Sequence, residues 1–367
     1  MHQEEFELAV SNNEIEAVAR YLQEANVNVD YKNNEGSTVL MLATLQGSAE
    51  ITELLLTHGC NVNLQSNYGV TALMNAARND YVKICELLIS RGCNIDLHNN
   101  YGTTALMDAA CNGNEEVVKL LVSSSCNLDS KNNGGNTAFM QAADNGHSKI
   151  CEFLLSHGSN VDMQNKSGFT GLIFAAKNGH EEVVKVIVSH GCNADLKNED
   201  GFTALMLATD IGQKEIVATL LTLGCDVDTQ DTSNGYTALM SAAAEIGSSE
   251  IAELLIFHGC NVDIQDTNVG YTALIMAADV GNEEVVKMII SHGCNLDIQN
   301  IEGTTAFIAS CRSGQIPIAI ALIHAGCDYS LKDSDDKSGI DYLKEEFPDN
   351  VDEVQVVLRP SCLPFLH

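Results

Sequence analysis

One phrase recurs along the chain: Gly, any residue, Thr, Ala, Leu, Met, any residue, Ala, Ala. It stands as Gly69-Val70-Thr71-Ala72-Leu73-Met74-Asn75-Ala76-Ala77 and returns as Gly102-Thr103-Thr104-Ala105-Leu106-Met107-Asp108-Ala109-Ala110. Its anchoring glycines are Gly36, Gly69, Gly102, Gly135, Gly168, Gly201, Gly235, Gly270 and Gly303. The first six follow one another at 33 residues, and the later steps are 34, 35 and 33. A fixed period of this length means stacked supersecondary repeats rather than separate domains. The 367 residues, which would otherwise suggest two or three ordinary domains, therefore read as one array.

A single repeat can be read from its residues. Thr104 is a good N-cap, and Ala105 is the best helix former just inside the start. Ala105, Leu106, Ala109 and Ala110 then share one face of a short, small-sided helix. Asn112-Gly113 ends it, with the glycine free to turn left-handed. Glu115 and Glu116 open a second helix at the positive end of its dipole, and Val117, Leu120 and Leu121 give that helix its apolar stripe. Ser125 to Asp129 leaves the helix and leads into Asn132-Asn133-Gly134-Gly135, turn-forming residues that suit a tight, hairpin-like finger.

Composition agrees with thin layers. Hydrophobic residues make up 45%, yet Trp is absent and aromatics are only 5%. Such a core must be built from small and aliphatic side chains. The 19 Lys and Arg stand against 50 Asp and Glu, for a formal charge of -31. That charge repels nucleic-acid phosphates and anionic lipid and favours basic partners. It also keeps an elongated chain soluble. Met1-His2-Gln3-Glu4-Glu5 lacks the basic and apolar runs of a signal peptide, and no apolar run reaches the length of a membrane span. The 13 cysteines read as free thiols in a reducing compartment, the cytoplasm or alternatively the nucleus.

Helix, turn, helix and finger at this period resemble the ankyrin repeat. The resemblance implies an all-α repeat protein, an ankyrin-type α-solenoid of paired antiparallel helices with hairpin-like fingers, curved with a concave face. Two positions depart from the family signature. Ala, Val or Gly replaces its Pro, as at Ala72 and Ala204, and Met or Ile replaces its His, as at Met74, Met206 and Ile275. No hydrogen-bond network of that His is carried over. The expected organisation is capping helices in residues 1–34, nine repeats in 35–335, a C-terminal capping repeat in 336–359 and a short tail in 360–367. In the first cap Asn13 takes the glycine position, since Asn tolerates a left-handed backbone. In the last, Val351 to Leu358 is expected to form a final helix.

Residues that could carry chemistry fall in columns. Cys60, Cys93, Cys126, Cys192, Cys225, Cys260, Cys294 and Cys327 share one column, with Ser159 in the remaining slot. Stacked repeats lie roughly 8–10 Å apart, beyond the ~7 Å between Cα atoms that a disulfide spans. The column reads as small buried side chains. His58, His157, His190, His258 and His292, each before a Gly, form a second column suited to a helix C-terminus. Zinc ligands must converge on one ion, which a column spaced by the repeat does not do. The acidic fingers around Asp231 and Asp333 lack the EF-hand ligand order. No nucleophile elbow, Walker loop or dinucleotide fingerprint occurs. The expectation is a non-enzyme with no catalytic residue, no cofactor and no metal.

The free positions are the residue after each anchor Gly, the residue before each Ala-Ala and the pair that follows it. The first column runs Ser37, Val70, Thr103, Asn136, Phe169, Phe202, Tyr236, Tyr271, Thr304. The second runs Leu42, Asn75, Asp108, Gln141, Phe174, Leu207, Ser241, Met276, Ala309. Both turn aromatic or apolar between about residues 168 and 280, where the extra residues of the longer repeats also fall. Clustered rings are what binding hot spots use. The expected contact patch is Phe169, Phe174, Phe202, Leu207, Tyr236, Tyr271 and Met276. The expected function is a monomeric scaffold or adaptor that binds a protein or peptide, with basic ones favoured, on its concave surface. The alternative is a targeting, inhibitory or substrate-receptor subunit of a larger enzyme complex such as a ubiquitin ligase.

Overall fold

Each repeat opens on a threonine whose hydroxyl does the same work. In the computed structural model, which describes residues 2–24 and 27–358, Thr38, Thr71, Thr104, Thr137, Thr170, Thr203, Thr237, Thr272 and Thr305 cap the first helix of their repeats. Each accepts the backbone N–H three residues on, so one orphan donor of the helix start is satisfied. The helices they start are short, as in Ala72–Arg78 and Ala105–Asn112. A second helix follows, as in Val82–Ser90 and Glu115–Ser123. Between the two the chain turns left-handed, at Gly113 with φ 78° and at Asp80 with φ 60°.

The chain divides into two compact bodies, Met1–Cys192 and Asn193–His367. Within each body first helices stack on first helices and second helices on second helices, giving two layers. The interface between the layers is made of small and aliphatic side chains. Ala76, Ala109 and Ala142 are fully buried in the first layer, and Ile51, Leu88, Leu121 and Leu154 are fully buried in the second. Alanine at these positions lets backbones approach closely, so the layers stay thin. Phe6, Phe139 and Phe307 are the large rings of this interior.

The fingers are turns, and no strand forms among the described residues. Each finger is closed on itself: in one, Asn99 N–H donates to Thr103 O at 3.0 Å and Gly102 N–H to Asn99 O at 2.8 Å. The Asn99 side chain accepts from the N–H groups of Tyr101 and Thr103 at 2.9 and 3.0 Å. Neighbouring fingers are joined as well. Asn67 N–H donates to Glu35 O, Asn100 to Tyr68 O and Asn133 to Tyr101 O. In the second body Thr232, Thr267, Ile301 and Ser334 donate in the same way to Asp200, Asn234, Val269 and Glu302. Buried backbone groups of the turns are thereby paired without a sheet.

Helices also stand at both ends of the described part. The helices His2–Ser11 and Ile15–Gln23 open the chain, with Asn13 between them at φ 58°. Gly339–Glu346, a single turn at Pro348–Asn350 and Val351–Val357 close the described part. The tail expected in 360–367, with Pro360 and Pro364, lies outside the described residues.

Candidate partner-binding surface

The residue after each anchor glycine is extended backbone between a finger and the N-cap of the next helix. Its N–H and its C=O both bond to one residue at the base of the finger. For Phe169 that residue is Asn165: the side-chain oxygen accepts the Phe169 N–H at 2.9 Å, and the Asn165 N–H donates to Phe169 O at 3.0 Å. Asn198 holds Phe202 in the same way, at 2.8 and 3.0 Å. Aspartates hold the tyrosines: Asp231 with Tyr236 at 3.1 and 3.0 Å, and Asp266 with Tyr271 at 2.9 and 2.9 Å. The ring column is therefore carried on pinned backbone.

The extra residue of the longer fingers explains why Asp replaces Asn there. One Asp231 oxygen accepts from the N–H groups of Ser233, Asn234 and Gly235 and from the Ser233 hydroxyl, and the other accepts from Tyr236 N–H. Asp266 does the same for Asn268, Val269, Gly270 and Tyr271. A longer loop presents more N–H groups, and only a carboxylate brings two acceptor oxygens to them. Burial alone would raise the Asp231 carboxyl. The bonds from Asn234, Ser233 and Tyr236 outweigh it and hold the group below the ordinary aspartate value. Asp333 is likewise occupied by its own finger, accepting from the N–H groups of Asp335 and Lys337.

The first body brings Phe169 and Phe174 together, with ring centroids 4.9 Å apart and planes at 33°. The Lys177 ammonium stands 5.3 Å from the Phe169 centroid, a cation–π distance. Both rings are half-buried. In the second body Phe202, Leu207, Tyr236 and Tyr271 are half-buried too. Burial and the nearby Asp266, Asp231 and Tyr271 raise the Tyr236 hydroxyl, which stays protonated and able to donate. Met276 is 6% exposed and packs inside its body, offering almost no surface.

The polar positions of the first body are built rather than loose. Asp108 is 7% exposed and takes a bidentate grip from Arg78, whose Nη2 lies 3.1 and 3.2 Å from its two oxygens. Burial raises the Asp108 carboxyl, and Arg78 opposes the shift. Asn75 donates to Met41 O at 3.2 Å in the preceding repeat.

The Cys and His columns have structural duties. Twelve cysteines are free among the described residues, including Cys60, Cys126, Cys260 and Cys327, which are buried. Burial pushes Cys126, Cys260 and Cys327 up to about 12 and Cys60 to about 11. These thiols stay protonated and make poor nucleophiles or ligands. His58, His157, His190 and His258 each place Nδ1 2.8–2.9 Å from the carbonyl four residues earlier, closing a helix C-terminus. No group of three or more His, Cys, Asp or Glu among the described residues is placed to hold a metal ion. No helix among them is long and apolar enough to cross a membrane.

The surface that sequence reasoning missed is at the fingertips. Tyr68 and Tyr101, each just before its anchor glycine, are 61% and 70% exposed. The signal was present, since two consecutive repeats carry Tyr at a position otherwise filled by small, polar or aliphatic residues.

The family model for ankyrin repeats in three copies matches residues 6–99, 91–165, 157–231 and 239–333. The chain belongs to the ankyrin-repeat family. Among solved structures it is similar to the ankyrin repeat domain of Bcl-3, described as a unique member of the IkappaB protein family. The identity is 26% and the TM-score 0.53, over 59% of this chain and 96% of that one. The human ASB11 ankyrin repeat domain is similar in fold, at 22% identity and TM-score 0.54, over 60% of this chain and 98% of that one. No sequence among curated proteins matches the chain. Ankyrin repeats are in general protein–protein interaction modules, and the family is typically non-enzymatic.

Proposed function

We propose that the chain is a non-enzymatic scaffold or adaptor that binds a protein or peptide along the residues following its anchor glycines. The observation that supports this is the ring column: Phe169 with Phe174 in the first body, and Phe202, Leu207, Tyr236 and Tyr271 in the second. Their backbones are fixed by paired hydrogen bonds, so little ordering entropy remains to be lost on binding. Half-buried rings of this kind suit anchors, which need both a supporting wall and an open edge. The charge of -31 favours a basic partner, and binding should weaken as salt rises. Buried, unpaired thiols fit a reducing compartment, the cytoplasm or the nucleus. The chain is read as a monomer.

The test replaces the rings body by body, as F169S/F174S and as F202S/Y236S/Y271S, and compares each with wild type in affinity purification from native lysate. Circular dichroism checks folding. The reading expects each set to lose specific partners. An unchanged partner set from both folded variants would overturn it.

A further inference from the structure

The fingertips of the first body hold three consecutive side chains on one ladder: Glu35, Tyr68 and Tyr101. All three are exposed. Their backbone carbonyls accept from Asn67, Asn100 and Asn133 in turn, at 3.0, 2.9 and 2.9 Å. A second ladder stiffens the same stretch, with the amide nitrogens of Asn67, Asn100 and Asn133 donating to the carbonyls of Asn34, Asn67 and Asn100 at 3.0, 3.0 and 2.9 Å. The next fingertip residue is Gly134, so the tyrosines end at Tyr101, while the amide ladder runs one finger further and ends where Lys166 takes the Asn position. The side chains thus stand one repeat apart, about 8–10 Å at ordinary helix-packing distances.

A polyproline II segment repeats every three residues, with a rise of about 9 Å per turn. Residues three apart in such a segment therefore meet stations spaced by one repeat. Exposed tyrosine rings are the surfaces on which prolines pack, and a preformed extended helix loses little entropy on docking. A free carboxylate in line with them calls for a cation. We propose that Glu35, Tyr68 and Tyr101 form a second docking surface, for a proline-rich protein segment with two prolines three residues apart and an Arg or Lys three residues beyond one of them. This surface is separate from the ring column and does not depend on it.

The probes are fluorescein-labelled Arg-Ala-Ala-Pro-Ala-Ala-Pro and its reverse-order counterpart, titrated with the full chain and followed by anisotropy. One of the two orders is expected to bind. A further Ala inserted between the prolines should weaken that binding about tenfold. Y68S/Y101S should weaken it at least as much, and exchanging the peptide Arg for Gln should cost affinity on wild type but little on E35Q. F169S/F174S should leave it unchanged. Absence of binding by either peptide at millimolar protein would overturn the proposal. So would equal affinity for the two proline spacings on wild type, a result that needs no variant to fold. Loss in F169S/F174S with retention in Y68S/Y101S would overturn it too, by moving the peptide to the ring column.

Discussion

The ring of Phe139 fills the space that a Cβ on Gly171 would need, with its Cζ only 2.7 Å from where that atom would stand. Phe307 does the same to Gly339, again at 2.7 Å. Elsewhere the pair is Leu followed one repeat later by Ala, as in Leu73 with Ala105 and Leu106 with Ala138. Both large rings are thus matched by the smallest residue in the following repeat.

Gly171→Ala should therefore destabilise, although Ala is the better helix former. Overpacking a tight core costs about 1–3 kcal/mol, whereas the propensity gain is at most about 1 kcal/mol. A net loss of about 1 kcal/mol or more is expected in urea unfolding. Adding Phe139→Leu should restore most of it, a coupling that a double-mutant cycle reads directly. If the two changes simply add, the ring has room to spare and the argument fails.

Asp231→Asn should weaken the long finger, because an amide cannot supply both acceptor oxygens. The loss expected for a buried, charge-assisted set of bonds is about 1.5–3 kcal/mol at neutral pH. The sign of its pH dependence follows from the lowered carboxyl. A depressed folded value adds stability above the ordinary value of 3.8, and that contribution disappears as pH falls through the folded value. The gap between wild type and variant should be full at pH 7 and shrink below pH 4, as measured by unfolding at each pH.

Thr104→Ala should cost about 1 kcal/mol, the usual worth of an N-cap, and Thr104→Ser should keep most of it. The hydroxyl accepts from Met107 N–H at 3.3 Å, and serine preserves that acceptor. Equal unfolding midpoints for Ala and Ser would show that threonine is kept for its methyl group instead.

Cys85, Cys151 and Cys311 are fully buried, and burial pushes each up to about 12. Native protein at pH 8 should leave these three unmodified by a thiol-exchange reagent for as long as it stays folded, and all should react at once in guanidinium. Rapid labelling of any of them in the native state, located by peptide mass mapping, would contradict the packing described.

Much of this was legible in the residues. The period, the Thr caps, the left-handed Gly113 and the substitute Asn13 follow from local chemistry that does not depend on the neighbours. What escaped needed contact across repeats. Met276 reads as a free position because its column varies, yet the surrounding helices bury it. The partnership of Phe139 with Gly171 joins residues 32 positions apart and shows only when the layers are stacked. The column after the anchor glycines holds four rings and the column before them only two, so the first dominates the sequence pattern. That column is half-sheltered between finger and helix, whereas Tyr68 and Tyr101 project clear of both.

The nine threonine caps have a consequence beyond stability. Each restarts its helix from a fixed point, so the single residues added near Asp231 and Asp266 are absorbed in the finger and never shift the packing downstream. An array built this way tolerates copying errors repeat by repeat. Whole repeats can be duplicated or lost in the gene, and single fingers can lengthen, while every other layer keeps its frame.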